Sequence, residues 1–218
     1  MSRQYAVIGL GYFGMTVALE LVRQEHEVLG IDHDEGRVDA LANQLTHTVI
    51  ADPKDERALD ELDLKRFDAV LIDLDTIESS VLCAMHVSTR EVQELWVRAL
   101  SDDHYKLLEH LGVDHIVYPE HDQGIHVAQS INHRTVVDMI SLGDGQYVIE
   151  VEITQALVEH QGEGGIMHLH ENESARLVAI KRDDNLDCSP DNNADLRAGD
   201  HVILIGDLDA LKRFDAKA

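Results

Sequence analysis

Short, mostly apolar runs alternate with amphipathic stretches along the first 118 residues. Tyr5–Ile8, Val28–Ile31, Thr48–Ala51, Ala69–Leu74, Leu95–Val97 and His115–Val117 have the continuous apolar character of buried parallel strands. Between them Met15, Ala18, Leu19 and Val22 recur at helical spacing, as do Val38, Leu41, Ala42 and Leu45, and then Leu59 with Leu62. Six strands alternating with five helices predict an α/β fold, a Rossmann-like doubly wound parallel sheet over residues 1–120.

The stretch from Gly124 to Leu142 reads as one more helix, with Ile125, Ala128, Ile131, Val136 and Ile140 on one apolar stripe. It is expected to be a crossover and dimerisation helix within residues 121–142. An apolar face leaving a complete Rossmann unit must be covered by the next domain or by a second subunit. After Gly143 the period changes to two, with Tyr147, Ile149, Val151 and Ile153 alternating against Glu150 and Glu152. "ARLVAIKRD" and "DHVILIGD" add strands and "LDALKRF" a closing helix, so residues 143–218 are predicted to form a small α+β domain.

Composition narrows the classes. The 218 residues are 44% hydrophobic, enough for a packed core, yet no apolar run reaches membrane-spanning length. No charged-then-apolar leader precedes the first strand, so a cytoplasmic protein is expected. A formal charge of -24 repels phosphate backbones and argues against nucleic acid as a partner. The acidic excess is spread along the chain rather than gathered in a tail. With only six lysines present, such a surface suits a salty cytoplasm, where carboxylates stay hydrated and their repulsion is screened. Cys83 and Cys188 lie far apart and in no C-x-x-C arrangement, so two reduced thiols are expected.

Candidate chemistry starts at "YAVIGLGYFG". Gly9 permits the tight turn out of the first strand, Gly11 lets the backbone approach a pyrophosphate, and Gly14 lets the helix pack against the sheet. The helix N-terminus then offers N–H groups and a partial positive charge to phosphates. Asp32, 18 residues after Gly14 at the end of the second strand, is placed to accept hydrogen bonds from ribose hydroxyls and would repel a 2′-phosphate. Asp52, at the end of the third strand, either faces the same crevice or caps the following helix.

"YAVIGLGYFG", "HEVLGID", "LWVRA", "HYKLLEHLG", "HIVYPEHDQGIHVAQSI" and "LRAGDHVILIGD", in this order, resemble the cytosolic regulatory subunits of Ktr-type bacterial potassium uptake systems, members of the RCK (KTN) family. Related Trk-type subunits carry the two-part unit twice, and this chain carries it once. The resemblance implies a Rossmann part that binds ATP or ADP, and in some members NAD(H), without catalysis. It also implies homodimers, formed through the helix after the sixth strand, that assemble into an octameric ring. The ring would sit at the inner face of the membrane beneath an integral potassium-translocating subunit.

By motif, the resemblance assigns the ligand to Gly9, Gly11, Tyr12 and Gly14; to Asp32, His33 and Asp34; and to Asp52 and Pro53. Leu74, Asp75 and Thr76 follow the fourth strand, Arg98, Ala99 and Leu100 the fifth, and His104 and Glu120 complete the set. Two departures stand out. Tyr12 occupies a position where the family usually has an arginine suited to a terminal phosphate. The fourth strand usually ends in small residues but here ends Asp73-Leu74-Asp75. Arg98, or a divalent cation near Asp75 or Glu120, is a candidate substitute for the missing charge.

The remaining motifs read blandly. His168 and His170 form an H-x-H pair without a third ligand at compelling spacing, and the acidic stretch 183–195 lacks EF-hand spacing, so no metal site is expected. Trp96 reads as sheet core. The competing function is an NAD-dependent dehydrogenase or epimerase, which needs an acid/base over the nicotinamide and usually a sizeable substrate domain. No nucleophile motif or Tyr-x-x-x-Lys pair is present in the C-terminal part. An orphan nucleotide-binding protein is the third alternative.

Overall fold

The computed structural model describes residues 2–132, 136–143, 145–160, 175–183, 185–190 and 196–207. They fall into two compact units, 1–120 and 121–218. In the first, strands β1 (Gln4–Ile8), β2 (Glu27–Asp32), β3 (His47–Ile50), β4 (Ala69–Ile72), β5 (Leu95–Arg98) and β6 (His115–Val117) form one parallel sheet in the order β3-β2-β1-β4-β5-β6. This is the doubly wound arrangement the apolar runs predict. The third strand sits one residue earlier than expected, and the fourth ends at Ile72, so Asp73 and Leu74 lie beyond it.

Helices α1 (Tyr12–Arg23) and α2 (Glu35–Leu41) pack on one face of the sheet, where Val7, Leu10, Ala18, Val28, Val38 and Leu41 are buried together. On the other face α3 (Glu56–Glu61), α4 (Ile77–Ser88) and α5 (Asp102–His110) bury Leu59, Cys83, Val87 and Leu108 against Ile8, Ile31 and Ile72. Burial on both faces explains why the strands read as continuous apolar runs rather than alternating ones. Each fully buried isoleucine in this core contributes about 1.5–3 kcal/mol. Cys83 is buried, its thiol pushed up to about 12 by desolvation, and Cys188 is exposed; neither forms a disulfide.

On the α1 side the sheet is only part covered. A groove of about 560 Å³ opens there, walled by Tyr5, Val7, Leu71 and Trp96 of the sheet and by Phe13 and Val17 of α1. Trp96 lies half-buried in this wall, its ring stacked 4.0 Å from that of His115.

The expected helix over 124–142 is corrected: α6 spans Pro119–Asn132, and residues Val136–Gly143 form strand β7. Val136 and Ile140 fit a helical stripe, but they also fit a strand. Asp144-Gly145, followed by an alternating run, is the stronger local signal for a hairpin. β7 pairs antiparallel with β8 (Gln146–Glu152), with Gly143 opposite Gln146 and Gly145 at φ 74°. The second sheet runs β10-β9-β11-β8-β7, with β9 at Ala175–Arg182, β10 at Asn185–Asp187 and β11 at His201–Asp207. A short helix, α7 (Gln155–His160), follows β8. The core of this unit gathers Ile149, Val151, Ile153, Leu177, Val202 and Leu204.

Asp200, 2% exposed, anchors the turn into β11 by accepting from the Arg182 guanidinium at 2.6 and 2.7 Å and from the Arg197 N–H at 2.8 Å. The Arg182 bonds hold its carboxyl below the usual range against the opposing effect of burial. The expected closing helix "LDALKRF", His168 and His170 lie outside the described residues, as does part of the acidic stretch 183–195.

Candidate functional site

The parallel strands of the first unit end in loops that lead into helix N-termini, and the sequence-assigned residues lie on these connections or at the strand ends and first helical turns that flank them. Gly9 has φ 97°, and a Cβ built on it would lie 1.8 Å from the Asp73 carbonyl oxygen. Only glycine fits where β1 leaves so close to the end of β4. Gly11 is the N-cap of α1 in extended conformation. Gly14 packs its Cα against the Gly9 carbonyl. Gly9 and Gly14 thus fill the turn and packing roles of the fingerprint. Tyr12, the first residue of α1, is 85% exposed.

Asp32 ends β2 only 2% exposed. One carboxylate oxygen accepts from the Leu10 N–H at 2.7 Å and lies 3.4 Å from an Arg37 guanidinium nitrogen. The other accepts from the Asp34 N–H at 2.9 Å and faces His33 Nδ1 at 3.1 Å. Burial alone would raise its pKa, but the Asp34 and Leu10 N–H groups and Arg37 outweigh it and hold the carboxyl below the ordinary range. Asp32 therefore ties the glycine loop to the end of β2, and a ribose must share or displace the Arg37 and His33 contacts. Asp34 caps α2 by accepting from the Arg37 N–H.

Asp52 is exposed and accepts from the Lys54 N–H at 2.9 Å, while Pro53 is buried. The helix-cap alternative for Asp52 is not what forms: Asp55 caps α3. Leu74 points into the core, Asp75 reaches Arg37 at 3.5 Å, and Thr76 caps α4 by accepting from the Ser79 N–H. Ala99 is fully buried, its N–H bonded to the Val117 carbonyl. His104 is fully buried too. Its Nδ1 accepts from the Leu100 N–H at 3.1 Å, which leaves the proton on Nε2, an atom without a partner. Burial lowers its pKa. His104 thus shapes the loop carrying Leu100.

Two residues central to the crevice were not among the sequence-assigned ones. Asp73, 3% exposed, accepts from the Gly14 N–H at 2.7 Å and pairs with Arg98 Nη1 at 2.5 Å. Arg98 is also bonded to Glu120 and lies over the Phe13 ring at 5.9 Å. Arg37 bridges Asp32 and Asp75. A basic residue in the first turn after an acidic strand end was the available signal for Arg37; nothing local pointed to the Asp73–Gly14 bond. Asp75 and Glu120 are each taken up by an arginine. Among the described residues, no group of three or more His, Cys, Asp or Glu is gathered to hold a metal ion. No helix among them is long and apolar enough to cross a membrane.

Chemically, the edge offers a backbone turn and a helix N-terminus for phosphate, a buried carboxylate for hydroxyls, and two arginines already held by acids. Comparison with known proteins agrees with this architecture. The TrkA-N domain family matches residues 5–119 and the TrkA-C domain family residues 166–218. The chain is similar to Ktr system potassium uptake protein A of Bacillus subtilis (strain 168), 32% identical over 215 residues that cover 98% of this chain and 96% of the relative. Ktr system potassium uptake protein A of Vibrio alginolyticus is 30% identical over 96% of this chain and 95% of its own length. Among solved structures, the GsuK channel superposes with a TM-score of 0.69 at 16% identity, over 97% of this chain and 38% of the channel chain. The GsuK RCK domain gives 0.67 at 14%, over 99% and 47%. The chain thus spans less than half the length of either structural relative, and that likeness concerns the fold.

Proposed function

The chain belongs to the TrkA/Ktr family of RCK regulatory subunits, and on that premise we propose that it senses a nucleotide and thereby gates a membrane potassium transporter. It is a regulatory subunit of a potassium uptake system. The ligand is a nucleotide held across the C-terminal edge of the first sheet: ATP or ADP, with NAD(H) as a further candidate. The observation that carries this reading is the Gly9–Gly11–Gly14 turn opening onto α1 beside the Asp32-capped end of β2.

The mechanism is a population shift. A nucleotide that binds one assembly geometry tenfold better than another supplies about 1.4 kcal/mol per site, and repeated sites in a homo-oligomer steepen the response. Ring assembly is supported by exposed apolar side chains on α6, where Ile125, Val127 and Ile131 are 47, 51 and 77% exposed. Such a patch is unusual on a helix that works alone.

The test is titration of ATP, ADP and NADH into the full chain and into Gly11→Val and Asp32→Ala. Potassium uptake is measured alongside, in uptake-deficient cells carrying a Ktr-type membrane subunit with each variant. Weakened binding together with lost nucleotide control of uptake supports the proposal. Unchanged binding in both variants removes the crevice from it. Turnover of NADH with a carbonyl substrate would instead favour the dehydrogenase alternative.

A further inference from the structure

In a Rossmann site the phosphate of the ligand rests at the N-terminus of the first helix, against backbone N–H groups of its first turn. Here a side chain of the protein already holds one of them. The Asp73 carboxylate reaches across from the end of β4 and accepts from the Gly14 N–H at 2.7 Å, while its other oxygen pairs with Arg98 at 2.5 Å. It is 3% exposed, so the charge sits in a weakly screened environment. It also lies close to the turn that must carry the phosphate: Cβ atoms built on Gly11 and Gly14 would lie 3.4 and 3.1 Å from Asp73 Oδ2.

The surrounding charges offset it only in part. Arg98 is shared between Asp73 and Glu120, and Arg37 between Asp32 and Asp75, so these two guanidiniums face four carboxylates. Each arginine that would otherwise meet a phosphate is neutralised by the protein's own acids.

Resting on the nucleotide reading above, we infer that Asp73 is a specificity-determining residue: a built-in anion at the phosphate position that penalises each added phosphate. The nucleoside part of the ligand then carries most of the affinity. A merely structural cap would support every ligand equally, whereas this role acts on phosphate alone.

The experiment is calorimetric titration of adenosine, AMP, ADP and ATP into the full chain in chelator, with wild type and Asp73→Asn, the amide keeping an acceptor for Gly14 N–H. In wild type, affinity is expected to stay level or fall along the series. In Asp73→Asn the ADP and ATP affinities are expected to rise about tenfold, as removing a like charge at close range does, while adenosine changes less than twofold. ADP affinity already tenfold above adenosine in wild type overturns the inference without recourse to the variant, so a poorly folding Asp73→Asn does not shelter it. An equal change for all four ligands in the variant also overturns it, leaving Asp73 a structural cap. If adenosine binds in wild type and is lost in Asp32→Ala, the nucleotide reading stands whatever Asp73 does. If none of the four binds wild type, that reading fails first and the inference falls with it.

Discussion

Gly14 lies so close to Gly9 that a Cβ on Gly14 would stand 2.1 Å from the Gly9 carbonyl oxygen. Backbone cannot yield as a side-chain end can, so Gly14→Ala is expected to destabilise the first unit by about 1–3 kcal/mol or more. Gly11 differs: the nearest neighbour of a new Cβ is Asp73 Oδ2 at 3.4 Å, and its φ of -65° suits any residue. Gly11→Ala should therefore unfold within about 1 kcal/mol of wild type, the scale of an N-cap change, yet lose nucleotide affinity. Urea denaturation and ligand titration on both variants separate the two roles. Equal stability losses would show that the loop tolerates neither side chain for the same packing reason.

The glycine turn and the place of Asp32 were legible because both are local demands: a positive φ, a close backbone approach, an acid at a strand end. The six parallel strands were legible because burial on two faces leaves continuous apolar runs. The Asp73–Gly14 and Arg98–Asp73 contacts join residues 59 and 25 positions apart, and only the strand order brings them together. The helix/strand change after Asn132 was missed for another reason. Val136 and Ile140 satisfy a helical period as well as a strand's, and the Asp144-Gly145 hairpin signal was outweighed by the stripe begun at Ile125.

His104 should leave a signature in the pH dependence of stability. Its unperturbed pKa is 6.5 and burial lowers it in the folded protein, so the unfolded chain takes up a proton first as pH falls. The neutral ring's contribution is present above about 6.5 and is lost as pH drops from there through the lowered folded value. In His104→Asn, whose side-chain oxygen can still accept from the Leu100 N–H, melting temperature should fall less between pH 7 and pH 5 than in wild type. Parallel melting curves for the two proteins over that range would remove His104 as a differential titrating group.

Ile131 is 77% exposed on α6, three residues from Ala128 and four from Val127. If this face is where subunits meet, a buried unpaired carboxylate there is far more costly than the same carboxylate in water. Ile131→Glu is expected to shift the particle to smaller mass in light scattering, with the circular dichroism of the fold retained. An unchanged mass would place the subunit contact on another surface, the apolar groove beside Trp96 being the first to examine.

Tyr12 stands at the first position of α1, 85% exposed, where the family's arginine would meet a terminal phosphate. A tyrosine hydroxyl offers one neutral donor; a guanidinium offers a charge-assisted fork. Arg98 is no ready substitute, since Asp73 and Glu120 already engage it. The native ATP/ADP affinity ratio in chelator should accordingly be about one or lower, and Tyr12→Arg should raise it about five- to tenfold, the scale of one hydrogen bond to a charged group partly screened at an exposed position. The cost to the fold is small, because a cation at a helix N-terminus loses only about 0.3–1 kcal/mol to the helix dipole. Calorimetry with both nucleotides decides the point. A strong ATP preference with Tyr12 intact would mean that another group reads the γ-phosphate, and an unaltered ratio in Tyr12→Arg would mean that the phosphate chain does not extend past the start of α1.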